Sequence, residues 1–245
     1  MPDDSQDQLR RAIARATEGL PPVSPALRFE LRRKVLHVVV AVVAVPMLLL
    51  LPLMWNFIIG TSGILVITLT WAIERRRLPD SLKGPLHEPL AGVLVSTRRP
   101  GEDYPWSPVL YTVSLLILGA AHAYLALPLS IALASYAILG IGDATSALVG
   151  VAYGRTKLAW NRRKSLEGTA AGIAAGCLGG LAMGVIPLAF AGQAPTAGFF
   201  LVVAAGAIAG GLAETAPRVE DNFVVPLAAA SAMFAVALLA GVALP

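Results

Sequence analysis

The chain has 245 residues, of which 56% are hydrophobic and only 14% are charged, and it carries a formal net charge of +4. These fractions exclude an ordinary soluble domain, because a soluble core of this size cannot cover so much apolar surface. The single cysteine, Cys177, excludes an intrachain disulfide and a cysteine metal cluster.

A polar arm, residues 1–30, precedes the first apolar run. Apolar residues recur in it at helical spacing, and arginines fall on the other side; these are Leu9, Ala12, Ile13, Ala16 and Leu20, and Arg10, Arg11 and Arg15. The pattern predicts either an amphipathic helix on an anionic membrane surface or a solvated cytoplasmic helix. The apolar run that follows is as long as a spanning helix, so we expect it to remain as a membrane anchor.

Seven apolar stretches of about transmembrane length occupy residues 31–245, the predicted membrane domain. They are residues 35–54, 57–73, 109–126, 129–153, 170–190, 198–213 and 223–244. Backbone groups find no water in lipid, and the alternation of barrel strands is absent, so each stretch is expected to be a helix. The sequence therefore predicts an all-α, polytopic transmembrane bundle of about seven spans.

The distribution of charge predicts the orientation of this bundle. All 19 lysines and arginines lie before position 35, within 74–108, within 154–165, or at Arg218. The connections expected at the opposite face, residues 55–56, 122–127 and 189–197, contain no Lys, Arg, Asp or Glu. By the positive-inside rule, the charged face and the N-terminus are predicted to be cytoplasmic, in the plasma membrane.

The fourth apolar stretch contains a carboxylate. Asp143 lies about three helical turns before the basic loop, at a depth where an ionised side chain is costly unless it is paired or binds a cation. Small residues follow it at near-helical spacing, namely Ala144, Ser146, Ala147, Gly150 and Gly154. They indicate the close approach of either another helix or a ligand.

The loop after this stretch is basic and leads into the fifth predicted helix. It carries Arg155, Lys157, Arg162, Arg163 and Lys164. Ser165 is predicted to cap the next helix, which directs free backbone amides toward an anion. Basic side chains beside a helix N-terminus are typical of a polyphosphate site, although Arg162 and Arg163 are equally well explained as topology signals.

A third polar cluster flanks the last two predicted helices. Glu214 lies just after the sixth apolar stretch, and Glu220, Asp221 and Asn222 precede the seventh. Carboxylates at the ends of adjacent helices suit Mg²⁺, which favours oxygen ligands and keeps water and substrate phosphate in its shell. Asp221 is alternatively a helix N-cap.

In order and spacing, several segments resemble the CTP-dependent kinases of dolichol, phytol and other polyprenols. The segments are RKVLH at 33–37, the stretch 74–76, RRPGE at 98–102, GDATSALVG at 142–150 with GR at 154–155, KSLEGT at 164–169, and 214–226, which ends in DNFVVP. Each motif alone is weak, whereas the ordered set is specific and covers most of the chain after about position 32. The resemblance implies transfer of the γ-phosphate of CTP, or of another nucleotide as in some members of the family, to the hydroxyl of a membrane lipid alcohol. Neither a GxxxxGK[ST] phosphate loop nor the protein-kinase motif set is present.

The clusters and the resemblance together predict roles for individual residues. The nucleotide is expected to contact Gly142, Gly154, Arg155, Lys157, Lys164, Ser165, Gly168, Thr169 and Asn222. Asp143, Glu214 and Asp221 are expected to hold Mg²⁺, directly or through water. The expected catalytic residues are Asp143, Lys164, Glu167 and Asp221, with His37 as a less favoured acceptor of the hydroxyl proton.

Two other functions fit parts of the pattern. An enzyme similar to phosphatidate cytidylyltransferase would also use CTP and Mg²⁺, but it would release pyrophosphate instead of CDP. A small cation-coupled transporter would use Asp143 as an ion site, yet no convincing internal repeat is found and the charges gather at one face. Nucleic acid is not an expected partner, because the basic clusters lack interleaved aromatic residues and a recognition motif.

Overall fold

The computed structural model describes residues 31, 33–35, 38–41, 43, 47, 50–85, 87–97, 103–217 and 220–245. Its helices are α1 (Leu53–Glu74), α2 (His87–Thr97), α3 (Trp106–Leu125), α4 (Leu129–Ala137), α5 (Asp143–Tyr153), α6 (Leu166–Phe190), α7 (Ala197–Glu214) and α8 (Asp221–Ala240). A 3-10 turn (Asp80–Leu82) precedes α2, and a π-helical turn (Ile138–Gly142) joins α4 to α5. No strand is found in these described ranges, so the all-helical prediction is confirmed there.

Six helical segments of the described chain are long and apolar enough to cross a membrane. They are α1, α3, the continuous segment from α4 through α5, α6, α7 and α8. Their ends differ by four residues or fewer from the second to seventh predicted spans. Part of the first predicted span, 35–54, lies outside the described residues, including His37, and so do the arm (1–30) and Arg218. The structure therefore shows a polytopic helical bundle of six described spans.

Proline marks the start of several of these helices. Pro52, Pro105 and Pro128 directly precede α1, α3 and α4. Proline has no backbone N–H and its φ is already fixed, so it costs little at the start of a helix. Inside a helix it interrupts the hydrogen bonds, so a helix usually ends before it. The predicted first span, which ran on to residue 54, is wrong at its end for this reason, because α1 already begins at Leu53.

The segment from α4 through α5 is the centre of the bundle. Its most apolar window is 78% buried, whereas the corresponding windows of the other five spans are between 28% and 44% buried. The helix α6 packs along it, α8 contacts α4, and α7 and α8 pack against each other on the outside. Ile131, Leu133 and Leu139 are fully buried at this centre. Asp143, Ala144 and Ser146, at the start of α5, are therefore surrounded by protein instead of lipid.

A row of glycines lets α6 approach the central segment closely. Gly168, Gly172, Gly176, Gly180 and Gly184 recur every four residues along one face of α6. A Cβ on Gly168 would lie 2.7 Å from the carbonyl oxygen of Ser146, and one on Gly172 would lie 3.0 Å from that of Gly142. Small residues at this spacing are a common interface between membrane helices, where packing replaces the hydrophobic effect. The small residues of α5 thus meet a helix along one side.

The termini of the spans place the charged residues at one end of the bundle, which we call the charged end. It is formed by the termini Glu74, Trp106, Tyr153, Leu166, Glu214 and Asp221. At the opposite end, the backbone N–H and hydroxyl of Ser130 both donate to the carbonyl of Pro245, at 3.1 Å each. The lysines and arginines among the described residues lie in segments that meet at the charged end, in agreement with the predicted charge asymmetry.

Replacing Gly172 with Ala is expected to destabilise the protein by about 1–3 kcal/mol, because the new methyl would press on Ser146 and on backbone that cannot move aside. Gly63→Ala is the matched control, since a Cβ there meets nothing within 4 Å. Apparent Tm values of the purified proteins in detergent test this. A Gly172→Ala protein as stable as the Gly63→Ala protein would contradict the close packing of α5 and α6.

Candidate functional site

Lys164 lies between two carboxylates at the charged end. Its Nζ donates to Glu214 Oε1 at 2.6 Å and to Asp221 Oδ2 at 3.5 Å. Glu214 ends α7 and Asp221 begins α8, so the lysine connects the ends of two spans. The side chain of Glu214 is only 4% exposed, and it stands at the negative end of its helix dipole. The ammonium therefore neutralises a buried carboxylate that neither water nor its own helix stabilises.

Lys164 remains a cation despite its own burial. Burial disfavours the charged form, but the carboxylates of Glu214, Asp221 and Asp143 outweigh that effect and raise the pKa of Lys164 above its usual value. Its side chain keeps 22% exposure and lines the cavity described below. Lys164 therefore offers a permanent positive charge to a ligand in that cavity.

Asp143 forms a second ion pair, deeper in the bundle. Lys34 Nζ donates to Asp143 Oδ2, and each side chain is 2% exposed. Asp143 begins α5, so it stands about 15 Å along the helix axis from the charged end, at roughly 1.5 Å per residue. The π-helical turn directly before it is a feature that often occurs at functional sites. The intramembrane carboxylate that the sequence singled out thus has a cationic partner on a distant segment.

The loop between α5 and α6, residues 154–165, is folded back on itself and fixed at both edges. Leu158 N–H donates to the carbonyl of Lys164 at 3.1 Å, and Leu166 N–H donates to that of Thr156 at 2.9 Å. The predicted N-cap is confirmed, because Ser165 Oγ accepts from Gly168 N–H at 3.2 Å. These bonds hold Lys164 and the start of α6 in one rigid unit.

The outer edge of this loop is tied to the end of α7. Trp160 Nε1 donates to Thr215 Oγ1 at 3.1 Å, and Asn161 Nδ2 donates to the carbonyl of Thr215 at 3.2 Å. Thr215 directly follows Glu214, so these bonds act beside the contact between Glu214 and Lys164. The loop therefore presents its basic residues in a fixed place above the spans.

A cavity of about 800 Å³ lies beside Lys164 at the charged end. This volume falls within the range of about 300–1,000 Å³ that is usual for small-molecule sites. Four cationic side chains line it, Arg33, Lys157, Arg163 and Lys164, together with the carboxylates Glu220 and Asp221. Its deeper wall consists of small residues of α5, namely Ser146, Ala147, Gly150 and Gly154. The excess of cations suits an anionic ligand, and the small residues leave it room.

The structure brings some of the predicted nucleotide-binding residues together at this cavity and keeps others away. Gly154, Lys157, Lys164 and Ser165 line it. Arg155, Gly142, Gly168, Thr169 and Asn222 are not among its lining residues. Gly142 and Gly168 instead serve helix packing, and Asn222 is buried, where its Nδ2 donates to Ser107 Oγ at 2.5 Å. The predicted set thus divides among the cavity, the bundle interior and, for Arg155, the exposed surface.

Some of the predicted catalytic residues line the cavity and others do not. Asp221 and Lys164 line the cavity, whereas the carboxylate of Glu167 accepts from the backbone N–H of Thr156 at 2.9 Å and 3.2 Å and so closes the base of the loop. Asp221 begins α8 with Glu220 at the N-cap position, so the alternative that Asp221 is the N-cap is wrong. His37 lies outside the described residues.

Three carboxylates of the described chain were predicted to hold Mg²⁺. In the described part of the chain, no three His, Cys, Asp or Glu side chains form a group that could hold a metal ion. Asp143, Glu214 and Asp221 therefore do not form such a group. Glu214 and Asp221 nevertheless converge on one point, which the Lys164 ammonium occupies. Mg²⁺ commonly takes only one or two protein carboxylates and completes its shell with phosphate and water. The pair therefore fits a nucleotide-bound Mg²⁺ ion, and Asp143, which pairs with Lys34, is less suited.

Arg33 and Lys34, which are 6% and 1% exposed, are site residues that were not predicted from the sequence. The cost of an ionised Asp143 inside the membrane indicated that it needs a cation, but it did not show that Lys34 supplies this cation. Asn161 and Glu220 also line the cavity without having been predicted as binding residues. Pairings between segments this far apart in sequence are not visible in local spacing.

Lys164→Met is expected to destabilise the protein by about 3 kcal/mol near neutral pH, because two carboxylates lose their shared cation. The folded-state pKa of Lys164 lies above its unfolded value, so its contribution is fully present below about pH 10.4 and is lost only as pH rises through the folded-state pKa. The stability difference from wild type should therefore shrink as the pH rises above about 10.4. Thermal unfolding in detergent measures it, with Lys83→Met as the exposed control. If Lys164→Met were as stable as wild type at neutral pH, the assigned ion pairs of Lys164 with the two carboxylates would be contradicted.

Comparison with known proteins identifies no relative. No protein-family model, no curated protein and no solved structure matches this chain. The function proposed below therefore rests on the resemblance of the motifs and on the geometry of the site.

Proposed function

We propose that this chain transfers the terminal phosphate of a nucleoside triphosphate, CTP by the family resemblance, to the hydroxyl of a membrane lipid alcohol. One observation carries the proposal: a cavity with four cations lies beside a lysine–carboxylate cluster, at one end of a bundle of membrane-spanning helices. A water-soluble anion reaches such a cavity from the charged end, and a lipid reaches it from the bilayer. An isoprenoid alcohol such as phytol, dolichol or another polyprenol is the proposed acceptor.

The cations of the cavity suit the triphosphate. Lys157, Arg163 and Lys164 line its wall within one loop, whose hydrogen bonds fix its shape. Phosphoryl transfer involves little covalent participation by the protein, so positioning and neutralisation of charge contribute most of the rate. A fixed group of cations serves both purposes, and it replaces the phosphate loop that soluble kinases use.

Glu214 and Asp221 would hold the Mg²⁺ ion that accompanies the nucleotide. The ion would supply neutralisation of the charge that develops on the phosphate oxygens. Lys164, which these carboxylates hold in the structure, is then available to the phosphate groups. The same two carboxylates thus keep the lysine in place while no nucleotide competes for it.

The acceptor hydroxyl is expected to approach along α5. Asp143 lies three and four residues before Ser146 and Ala147, which line the cavity, so the three residues share one face of the helix. The hydroxyl oxygen attacks the γ-phosphorus, the bond from that phosphorus to the β–γ bridging oxygen breaks, and the nucleoside diphosphate leaves. The hydroxyl proton passes to a carboxylate, and Asp143 is the one at the depth of the bilayer.

The charged end is proposed to face the cytoplasm, in the plasma membrane. The positive-inside rule supports this orientation, because lysines and arginines of the described chain gather at that end. The cytoplasm also supplies nucleoside triphosphates, so the cavity would face its donor.

Asp143→Asn is expected to lower lipid phosphorylation at least about a hundredfold, because proton transfer by a positioned group contributes about 10²–10⁴. The assay incubates the purified protein with γ-labelled CTP or ATP, Mg²⁺ and a panel of lipid alcohols, and it measures labelled lipid phosphate together with the released nucleotide. Asp103→Asn is the matched control, because that carboxylate is 97% exposed at the same end. Gel filtration confirms that each variant is folded.

The products separate the proposal from its nearest rival. A kinase releases CDP and a labelled lipid phosphate, whereas an enzyme similar to phosphatidate cytidylyltransferase releases labelled pyrophosphate. Full turnover by folded Asp143→Asn protein would remove Asp143 from the mechanism, and pyrophosphate as the product would refute the kinase assignment.

A further inference from the structure

Two buried cations lie in the first segment, and the function proposed above gives neither an individual role, although Arg33 is one of the four cations of the cavity. Arg33 and Lys34 are adjacent in sequence, and both described positions are helical. Arg33 is 6% exposed and Lys34 is 1% exposed. Burying a cation is costly unless a partner compensates it, so a pair of buried neighbours indicates a specific purpose.

The side chains of Arg33 and Lys34 extend to different parts of the protein. Successive residues of a helix are rotated by about 100°, so neighbours cannot point in the same direction. Lys34 Nζ donates to Asp143 on α5, whereas Arg33 lines the cavity with Lys157, Arg163 and Lys164. The ion pair joins residues 109 positions apart. It therefore fixes the first segment against the central helix at the residue next to Arg33.

The cavity wall gives Arg33 a chemical context. The other three lining cations all belong to the loop 154–165, so Arg33 is the cation that approaches from a different segment of the described chain. Guanidinium groups bind phosphate through two parallel N–H donors, which adds geometric selectivity that an ammonium lacks. An arginine from another segment would add such paired donors to the ammonium and guanidinium groups of the loop.

We propose that Arg33 contacts the phosphate groups of the bound nucleotide, and that the Lys34–Asp143 ion pair is the device that positions it. The inference rests on the proposed function only for the identity of the anion. Arg33 is a direct ligand in this account, whereas Lys34 acts through Arg33 and is a positioning residue.

Binding measurements on the full-length protein test the role of Arg33 without any turnover. Isothermal titration calorimetry in detergent follows CTP and inorganic tripolyphosphate, with cytidine as the ligand that has no phosphate. Arg33→Gln is expected to weaken CTP and tripolyphosphate about ten- to hundredfold, as for the loss of a charge-assisted contact, and to leave cytidine unchanged. Arg33→Lys should recover part of the loss. Arg162→Gln is the matched control, because Arg162 is exposed and is not a lining residue.

A double-mutant cycle tests the role of Lys34. If Lys34 acts by placing Arg33, then Arg33→Gln must cost less affinity in a Lys34→Gln background than in wild type. Should Lys34→Gln fail to fold, Lys34→Arg takes its place, since it keeps the charge while its larger head displaces the segment. Equal costs of Arg33→Gln in both backgrounds would overturn the positioning role.

The outcomes also separate this inference from the proposed function. CTP and tripolyphosphate affinities of Arg33→Gln equal to those of Arg162→Gln would refute the phosphate contact, even if the wild-type protein phosphorylates lipids. A protein that phosphorylates none of the lipid alcohols, yet loses tripolyphosphate affinity in Arg33→Gln, would instead refute the kinase and keep the anion site.

Discussion

The structure depends on how a few charges are neutralised inside a membrane-spanning bundle. Glu214 and Asp143 are almost completely buried carboxylates, and each has a lysine as its partner, Lys164 and Lys34. Leaving either carboxylate without its cation would cost several kcal/mol, on the order of 3–5 kcal/mol for a buried pair. These two pairs therefore determine which segments must meet: the loop 154–165 with the ends of α7 and α8, and the first segment with α5.

The same arrangement produces a cavity that suits an anion at the membrane boundary. Lys164 is held by contacts that also stabilise the fold, and backbone hydrogen bonds fix the loop that carries Lys157 and Arg163, so this part of the site exists before a ligand arrives. Glycines on α6 allow α5 to be packed closely, and Ser146 and Gly150 of α5 both lie against α6 and line the cavity of about 800 Å³. The close packing and the cavity thus share the same small residues of the central helix.

Much of this architecture could be predicted from local patterns in the sequence. Apolar runs gave six of the described spans to within four residues at each end, because the bilayer imposes helix length and leaves backbone groups no other partner. The N-cap at Ser165 followed from its residue type beside Lys164, and the gathering of charge followed from the positions of lysine and arginine. Local spacing carries these features, so a single sequence shows them.

Other features depend on contacts between distant segments and could not be predicted. Lys34 was not identified as the partner of Asp143, because no local pattern connects positions 109 residues apart. Gly168 and Gly142 were assigned to the nucleotide, although glycine serves a helix interface equally well, and only the packing of α6 on α5 separates the two uses. The carboxylate of Glu167 lies beside a motif lysine, yet the fold directs it to the backbone of Thr156.

The central claim is that these charges surround one bound nucleotide at the charged end of the bundle. An experimental structure of the protein in a lipid nanodisc with Mg²⁺ and a non-hydrolysable CTP analogue tests it most directly. The account predicts a triphosphate in the cavity between α5 and the loop 154–165, within hydrogen-bonding distance of Lys164 Nζ. A structure in which the analogue binds elsewhere, or in which Lys164 and Glu214 lie at opposite ends of the bundle, would contradict it.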